Sequence, residues 1–236
     1  VAIKGILMSL EKFKWMVDAQ TKVNSVVSKD WITKGRRLEF DFKLAASQEM
    51  AEFFNSYGYS WWSKSPRDMD NAITEIIDAW HFILSEVIIA YGVEFAPSIL
   101  NNSFKVVTEN NLLGKDVTTV KYQAKLLVGL LNTHDALDKA LEKFFQLTVC
   151  IDLSLDYLYL RYMGKNCLNV FRQENGYKKG EYTKIWYGKE DNHYLVEFLD
   201  TNDAIELLYA DVHAFLTATY AGVIGGSAVV NENKDN

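Results

Sequence analysis

Apolar residues recur at three- and four-residue intervals along most of the chain, the pattern of helices that each bury one face. Ile6, Leu10, Phe13, Val17 and Val23 form such a stripe, with Lys12, Lys14 and Asp18 off it. A second helix is predicted over 44–57, with apolar residues at 44, 50, 53, 54 and 57. A long third one over 70–91 is opened by Pro66-Arg67-Asp68 and stopped near Gly92. Further helices are predicted over 117–131, 135–145, 153–171 and 204–220, with at most a short one between Gly92 and Lys115. Strand character is confined to the ambiguous stretch Thr183-Lys-Ile-Trp-Tyr187. Neither a repeat nor a polar linker splits the chain, so residues 1–221 are expected to form a single all-α domain, a multi-helix bundle. The glycines and polar end of 222–236 predict a mobile tail.

Composition agrees with this and removes several function classes. The 236 residues are 49% hydrophobic and 24% charged, which excludes global disorder and suffices for a core. A net charge of −6 argues against a nucleic-acid partner, so neither DNA nor RNA is expected. Two cysteines, Cys150 and Cys167, exclude a disulfide framework and a four-cysteine zinc site; they read as small buried hydrophobes. Reduced thiols suit a cytoplasmic protein. The longest apolar run, 79–97, is interrupted by His81, Glu86 and Glu94. A membrane span needs about 20 nearly uncharged residues, so this run is read as a core helix, with no membrane partner. The short apolar N-terminal run meets Glu11 and Lys12 at once, so no targeting segment is expected.

Two acidic pairs carry the chemistry. Glu49-Met-Ala-Glu52 is followed by Glu75-Ile-Ile-Asp78. The i, i+3 spacing sets each pair on one helix face, roughly 5–6 Å apart between Cβ atoms. Met50, Phe53 and Phe54 flank the first pair, and Ile76, Ile77 and Trp80 the second. Helices so apolar belong to a core, and carboxylates drawn inward with them need a countercharge. A divalent cation supplies it, and hard oxygen donors select Mg²⁺ or Mn²⁺. Acidic pairs on solvated helix faces are the competing explanation; the apolar neighbours weigh against it. A di-iron bundle would need two Glu-x-x-His pairs, whereas Asp78 and His81 give one Asp-x-x-His.

Glu-x-x-Glu followed by Glu-x-x-Asp-x-Trp-His-Phe resembles the all-α nucleoside triphosphate pyrophosphatases, and within them the dimeric dUTPases of phages, some bacteria and trypanosomatids. Three further stretches carry the likeness: Met16-Val-Asp-Ala-Gln20-Thr-Lys-Val-Asn24, the aromatic run 57–62, and 164–186 continued by Gly188-Lys-Glu-Asp-Asn192. It runs in patches over about 10–95 and 155–195 and matches no motif after Phe198. The resemblance implies a homodimer in which Glu49, Glu52, Glu75 and Asp78 are metal-binding and catalytic. It implies water attack at the α-phosphorus of dUTP, and also of dUDP, to give dUMP. Glu49 is taken as the base, although four clustered carboxylates titrate as a group. For a phage-encoded protein the compartment would be the host cytoplasm.

Lys165, Asn169 and Arg172 share a helix face at i, i+4 and i+7, and Lys178, Lys179 and Lys184 follow on a loop bearing Gly176 and Gly180. These six residues are the expected phosphate ligands, set against the alternative of a solvated basic face. Gln20 and Asn24 share a face at i, i+4, and their amides suit the donor and acceptor pattern of uracil. By analogy with the family they read the base, with Trp62 or Trp80 as a wall; core packing competes for both tryptophans. His81 is read as structural.

The chain departs from the family pattern at Asn55, where an acid often stands, and in the aromatic run Tyr59-Ser-Trp-Trp-Ser63. Two other readings stay open: a sister pyrophosphatase acting on dCTP or another nucleotide, and a phage regulatory protein that binds a repressor partner. The 6 Trp, 13 Tyr and 13 Phe offer interface surface for a dimer.

Overall fold

The computed structural model describes residues 2–232 apart from 59, 63, 65, 111, 112 and 202–208, and side chains between Ser9 and Gly225. Among these residues there are nine α-helices. They are α1 (Ala2–Val27), α2 (Trp31–Arg36), α3 (Phe42–Ser56), α4 (Met69–Glu109), α5 (Val117–Leu131), α6 (Leu137–Cys150), α7 (Leu155–Glu174), α8 (Asp191–Thr201) and α9 (Tyr209–Glu232). Aspartates start three of them. Asp41 accepts from the Leu44 N–H, Asp68 from that of Asn71, and Asp116 from those of Thr118 and Thr119. Each such cap satisfies backbone donors that have no helical partner and contributes about 1 kcal/mol.

The helical dihedrals of α4 fail at Gly92, with φ 77° and ψ 159°, and resume beyond it. Only glycine enters that backbone region without strain. The expected stop at Gly92 is therefore real, but the segment after it is a long helical arm over 93–109 rather than a short helix. The short helix α2 was not anticipated. Tyr209–Glu232 is helical, so the stretch expected as a tail from 222 continues a helix through 232. The expected helix start at 204 lies outside the described residues.

Expected as one domain, the chain divides into two compact units, Val1–Tyr162 and Met163–Asn236, the division falling inside α7. In the first, α4 packs against α1, α3 and α6, and α5 lies against α6 and α3. Trp80 is fully buried and stacks on Phe144 at 4.6 Å, while Phe13 meets Phe104 and Phe145 edge-on. Burying each such side chain stabilises the fold by roughly 1.5–3 kcal/mol. By length and composition alone α4 could also cross a membrane, yet Ile76, Trp80, Ile83, Leu84 and Val87 are buried within the protein. Close pairs join α3 to α4 in reverse order, Ser56 with Asn71 and Lys43 with Glu86, so the two helices run antiparallel.

The second unit has its own aromatic core, which explains the division. Phe171, Tyr182, Trp186 and Tyr220 pack together, and Phe198 stacks on Phe215 at 4.1 Å. The ambiguous stretch forms a two-residue strand, β1 (Ile185–Trp186), paired antiparallel with β2 (Lys189–Glu190). Tyr187 and Gly188 both have positive φ, 46° and 86°, which is the geometry of a tight two-residue hairpin turn.

Candidate metal and nucleotide site

The antiparallel packing of α3 and α4 brings together carboxylates far apart in sequence. One oxygen each of Glu49, Glu52 and Glu75 lies within 4.8 Å of the others. Glu75 is buried, Glu49 half-buried and Glu52 exposed. At that distance, with an effective dielectric of about 20, each ionised pair repels by about 3 kcal/mol. Such a gathering is held by the surrounding fold, and a cation would relieve it. Asn71 supplies part of the hold: its Nδ2 donates to Glu75 Oε1 at 2.9 Å and to Ser56 Oγ at 2.7 Å, tying α4 to α3. The donor set is entirely carboxylate oxygen, which fits Mg²⁺ or Mn²⁺ and not a metal that prefers nitrogen or sulfur. Asp78, half-buried one turn beyond Glu75, falls outside the 4.8 Å trio.

Further along the buried side of α4 stands a polar cluster. Gln20 Nε2 donates to Asn24 Oδ1 at 3.0 Å and to Ser85 Oγ at 3.1 Å. Gln20 Oε1 is met by His81 Nδ1 and by the Tyr162 hydroxyl, each at 2.8 Å. An amide oxygen only accepts, so His81 carries a proton on Nδ1. These four bonds use every donor and lone pair of the Gln20 side chain. Gln20 was expected to read a base directly; in this arrangement it has no group left for one and instead holds its neighbours. Asn24 differs. Beside the bond from Gln20 it donates Nδ2 to Ser85 Oγ at 2.9 Å, which leaves one N–H and one lone pair. His81 keeps the structural place expected of it, its ring 4.4 Å from that of Tyr162.

The two tryptophans separate cleanly. Trp80 is not a wall for a base: it is wholly buried, with its Nε1–H on Met16 Sδ at 3.4 Å and its face on Phe144. Trp62 is 66% exposed, beside Trp61 at 83%. Of the two expected walls, Trp62 is the one exposed to solvent.

The second unit holds the basic residues. Lys165 and Arg172 are buried. Lys165 Nζ donates to Asn192 Oδ1 at 3.0 Å, and Arg172 grips the buried Asp191 through two nitrogens. Asn169 Oδ1 lies at 3.5 Å from an Arg172 nitrogen. Lys178 and Lys179 are exposed on a single 3₁₀ turn framed by Gly176 and Gly180, with φ 82° and 73°. Lys184 lies 4.0 Å from Glu190. The cationic reading therefore rests best on Lys178, Lys179 and Lys184, while Arg172 is occupied by an internal partner.

Sequence reasoning missed Asn71, Ser85, Tyr162 and Asp191. Asn71 carries a faint signal, one helical turn before Glu75, and so does Ser85, one turn after His81. Asp191 stands in the stretch 188–192 that carries the family likeness, though with no role assigned to it, and Tyr162 carries no signal.

A family model described as dUTPase matches residues 12–177. That span holds the four acidic residues, Gln20, Asn24, Trp62, Lys165, Asn169 and Arg172, and stops before Lys178, Lys179 and Lys184. No curated protein matches the chain.

Proposed function

The chain belongs to the all-α dUTPase family, and we propose that it is a Mg²⁺-dependent diphosphohydrolase that converts dUTP, and also dUDP, to dUMP. Membership by itself implies nucleotide pyrophosphatase activity. The observation that carries the finer reading is the meeting of Glu49, Glu52 and Glu75 oxygens within 4.8 Å, inside the matched span.

On this reading Glu49, Glu52, Glu75 and Asp78 would hold Mg²⁺, with Mn²⁺ as a substitute. The bound ion would neutralise the triphosphate charge and polarise its oxygens. Glu49 accepts the proton of the attacking water as its oxygen bonds to the α-phosphorus. The bond from that phosphorus to the bridging oxygen breaks, and pyrophosphate leaves. Asn71 fixes the Glu75 carboxylate through its 2.9 Å bond. Asn24 offers its remaining N–H and lone pair to the base. The active form is a homodimer.

Incubating the protein with dUTP and Mg²⁺ should release pyrophosphate and dUMP, and EDTA should stop it. Release of single phosphate, or cleavage of dCTP with dUTP left intact, would overturn the assignment. A light-scattering mass of one chain would overturn the dimer.

A further inference from the structure

The amides of Gln20 and Asn24 converge on one hydroxyl. Ser85 is fully buried on α4, and both Asn24 Nδ2 and Gln20 Nε2 donate to its oxygen, at 2.9 and 3.1 Å. Its own proton goes to the His81 carbonyl one turn back, at 2.8 Å. A hydroxyl has one proton and two lone pairs, so Ser85 is saturated. We propose that Ser85 is a positioning residue that locks the Asn24 amide in the orientation that favours uracil over cytosine. The proposal rests on the reading of this site as a deoxyuridine nucleotide pocket.

The lock follows from what reversal would do. Turning Asn24 over would set Oδ1 against a Ser85 oxygen whose proton is already placed. It would also set Nδ2 against Gln20 Nε2, donor facing donor. Two buried hydrogen bonds would be lost together, in a place where unmade bonds are costly. Gln20 cannot reverse to compensate, because His81 Nδ1 and the Tyr162 hydroxyl both hold its oxygen. Ser85 and the held Gln20 amide thus fix Asn24 from both of its ends.

The consequence is chemical selection at a distance. Uracil presents an N3–H donor beside carbonyl acceptors. Cytosine presents an N3 acceptor beside an amino donor. An asparagine amide free to turn can answer either pattern, whereas one held in place answers a single pattern. Ser85 need not touch the base to carry this discrimination.

The test compares kcat/KM for dUTP and for dCTP in the full-length protein and in Ser85→Ala. The ratio should fall by about tenfold or more, with a rise in KM for dUTP and a gain on dCTP. The Mg²⁺ concentration giving half-maximal rate should stay close to that of the wild type, since the acidic trio is untouched. If Ser85→Ala does not fold, Ser85→Cys, with its weaker donor and acceptor, is measured in the same way. Tyr162→Phe should move the ratio in the same direction by less. Folded variants that keep the wild-type ratio overturn the proposal and leave the dUTPase reading standing. A wild-type protein that cleaves no dUTP removes both.

Discussion

Arg172 holds Asp191 at two points, Nε to Oδ2 at 2.8 Å and the terminal guanidinium nitrogen to Oδ1 at 2.7 Å. The carboxylate is wholly buried and also accepts from the Tyr182 hydroxyl and the Asn192 N–H. This is a complete set of partners for the carboxylate, and it takes two of the five guanidinium N–H donors. Removing one side of a buried pair strands the other and typically costs about 3–5 kcal/mol. Asp191→Ala and Arg172→Met should each lower the unfolding free energy measured in urea by a margin of that order, with a matching fall in the midpoint. An arginine serving only phosphate would leave the midpoint unchanged.

The acidic trio makes a different prediction, about activity rather than stability. Glu49→Gln and Glu75→Gln each remove a charged oxygen donor from the group. Steady-state assays should show losses of at least about 100-fold, since even changes behind a metal ligand cost 10–100-fold. Asn71→Ala, which frees the Glu75 carboxylate from one of its holds, should fall within that range. Its signature is a raised Mg²⁺ requirement, measured by titrating the ion at fixed dUTP.

Trp80 and Trp62 should part company. Trp80→Ala empties a site stacked on Phe144 and should cost about 3–5 kcal/mol in thermal or chemical denaturation. Trp62→Ala, at a side chain 66% exposed, should change stability by no more than about 0.5 kcal/mol. Any effect of Trp62→Ala belongs in KM for the nucleotide.

Burial pushes the Cys167 thiol from 9.0 up to about 12. Burial, with the Asp191 charge second, also raises the Tyr182 phenol above its ordinary value. A group that holds its proton more tightly when folded adds stability below its unfolded pKa and loses it as pH climbs toward the folded value. Denaturation midpoints should therefore fall steadily from about pH 9 upward. In the native protein at pH 8, Cys167 should resist alkylation by iodoacetamide and should react once urea unfolds the chain.

Local signals were read correctly where the cause is local. The helix 117–131 has an aspartate before it and a polar stretch after it, and its limits match. Gly92 stops a helix because its backbone conformation is one that glycine tolerates. The acidic pairs announce themselves through a spacing set by helical geometry, and their gathering follows once α3 and α4 lie antiparallel. The arm 93–109 reads in sequence as at most a short helix, because Gly92 marks a stop and the residues after it are hard to place. Trp80 was misplaced because an indole looks the same in sequence whether it meets a ligand or a buried neighbour. Ser85 and Tyr162 acquire meaning only from Gln20, on a different helix, so no window along the chain could reveal them.

Glu75 and Ser85 ride on the same unbroken stretch of α4, ten residues apart. That stretch works as a ruler of about 15 Å, with the acidic trio at one mark and the amide lock at the other. Substitutions between the marks change what is packed there, but a single inserted residue would swing one mark by about 100° around the axis relative to the other. Length, more than identity, is what this part of the chain must preserve.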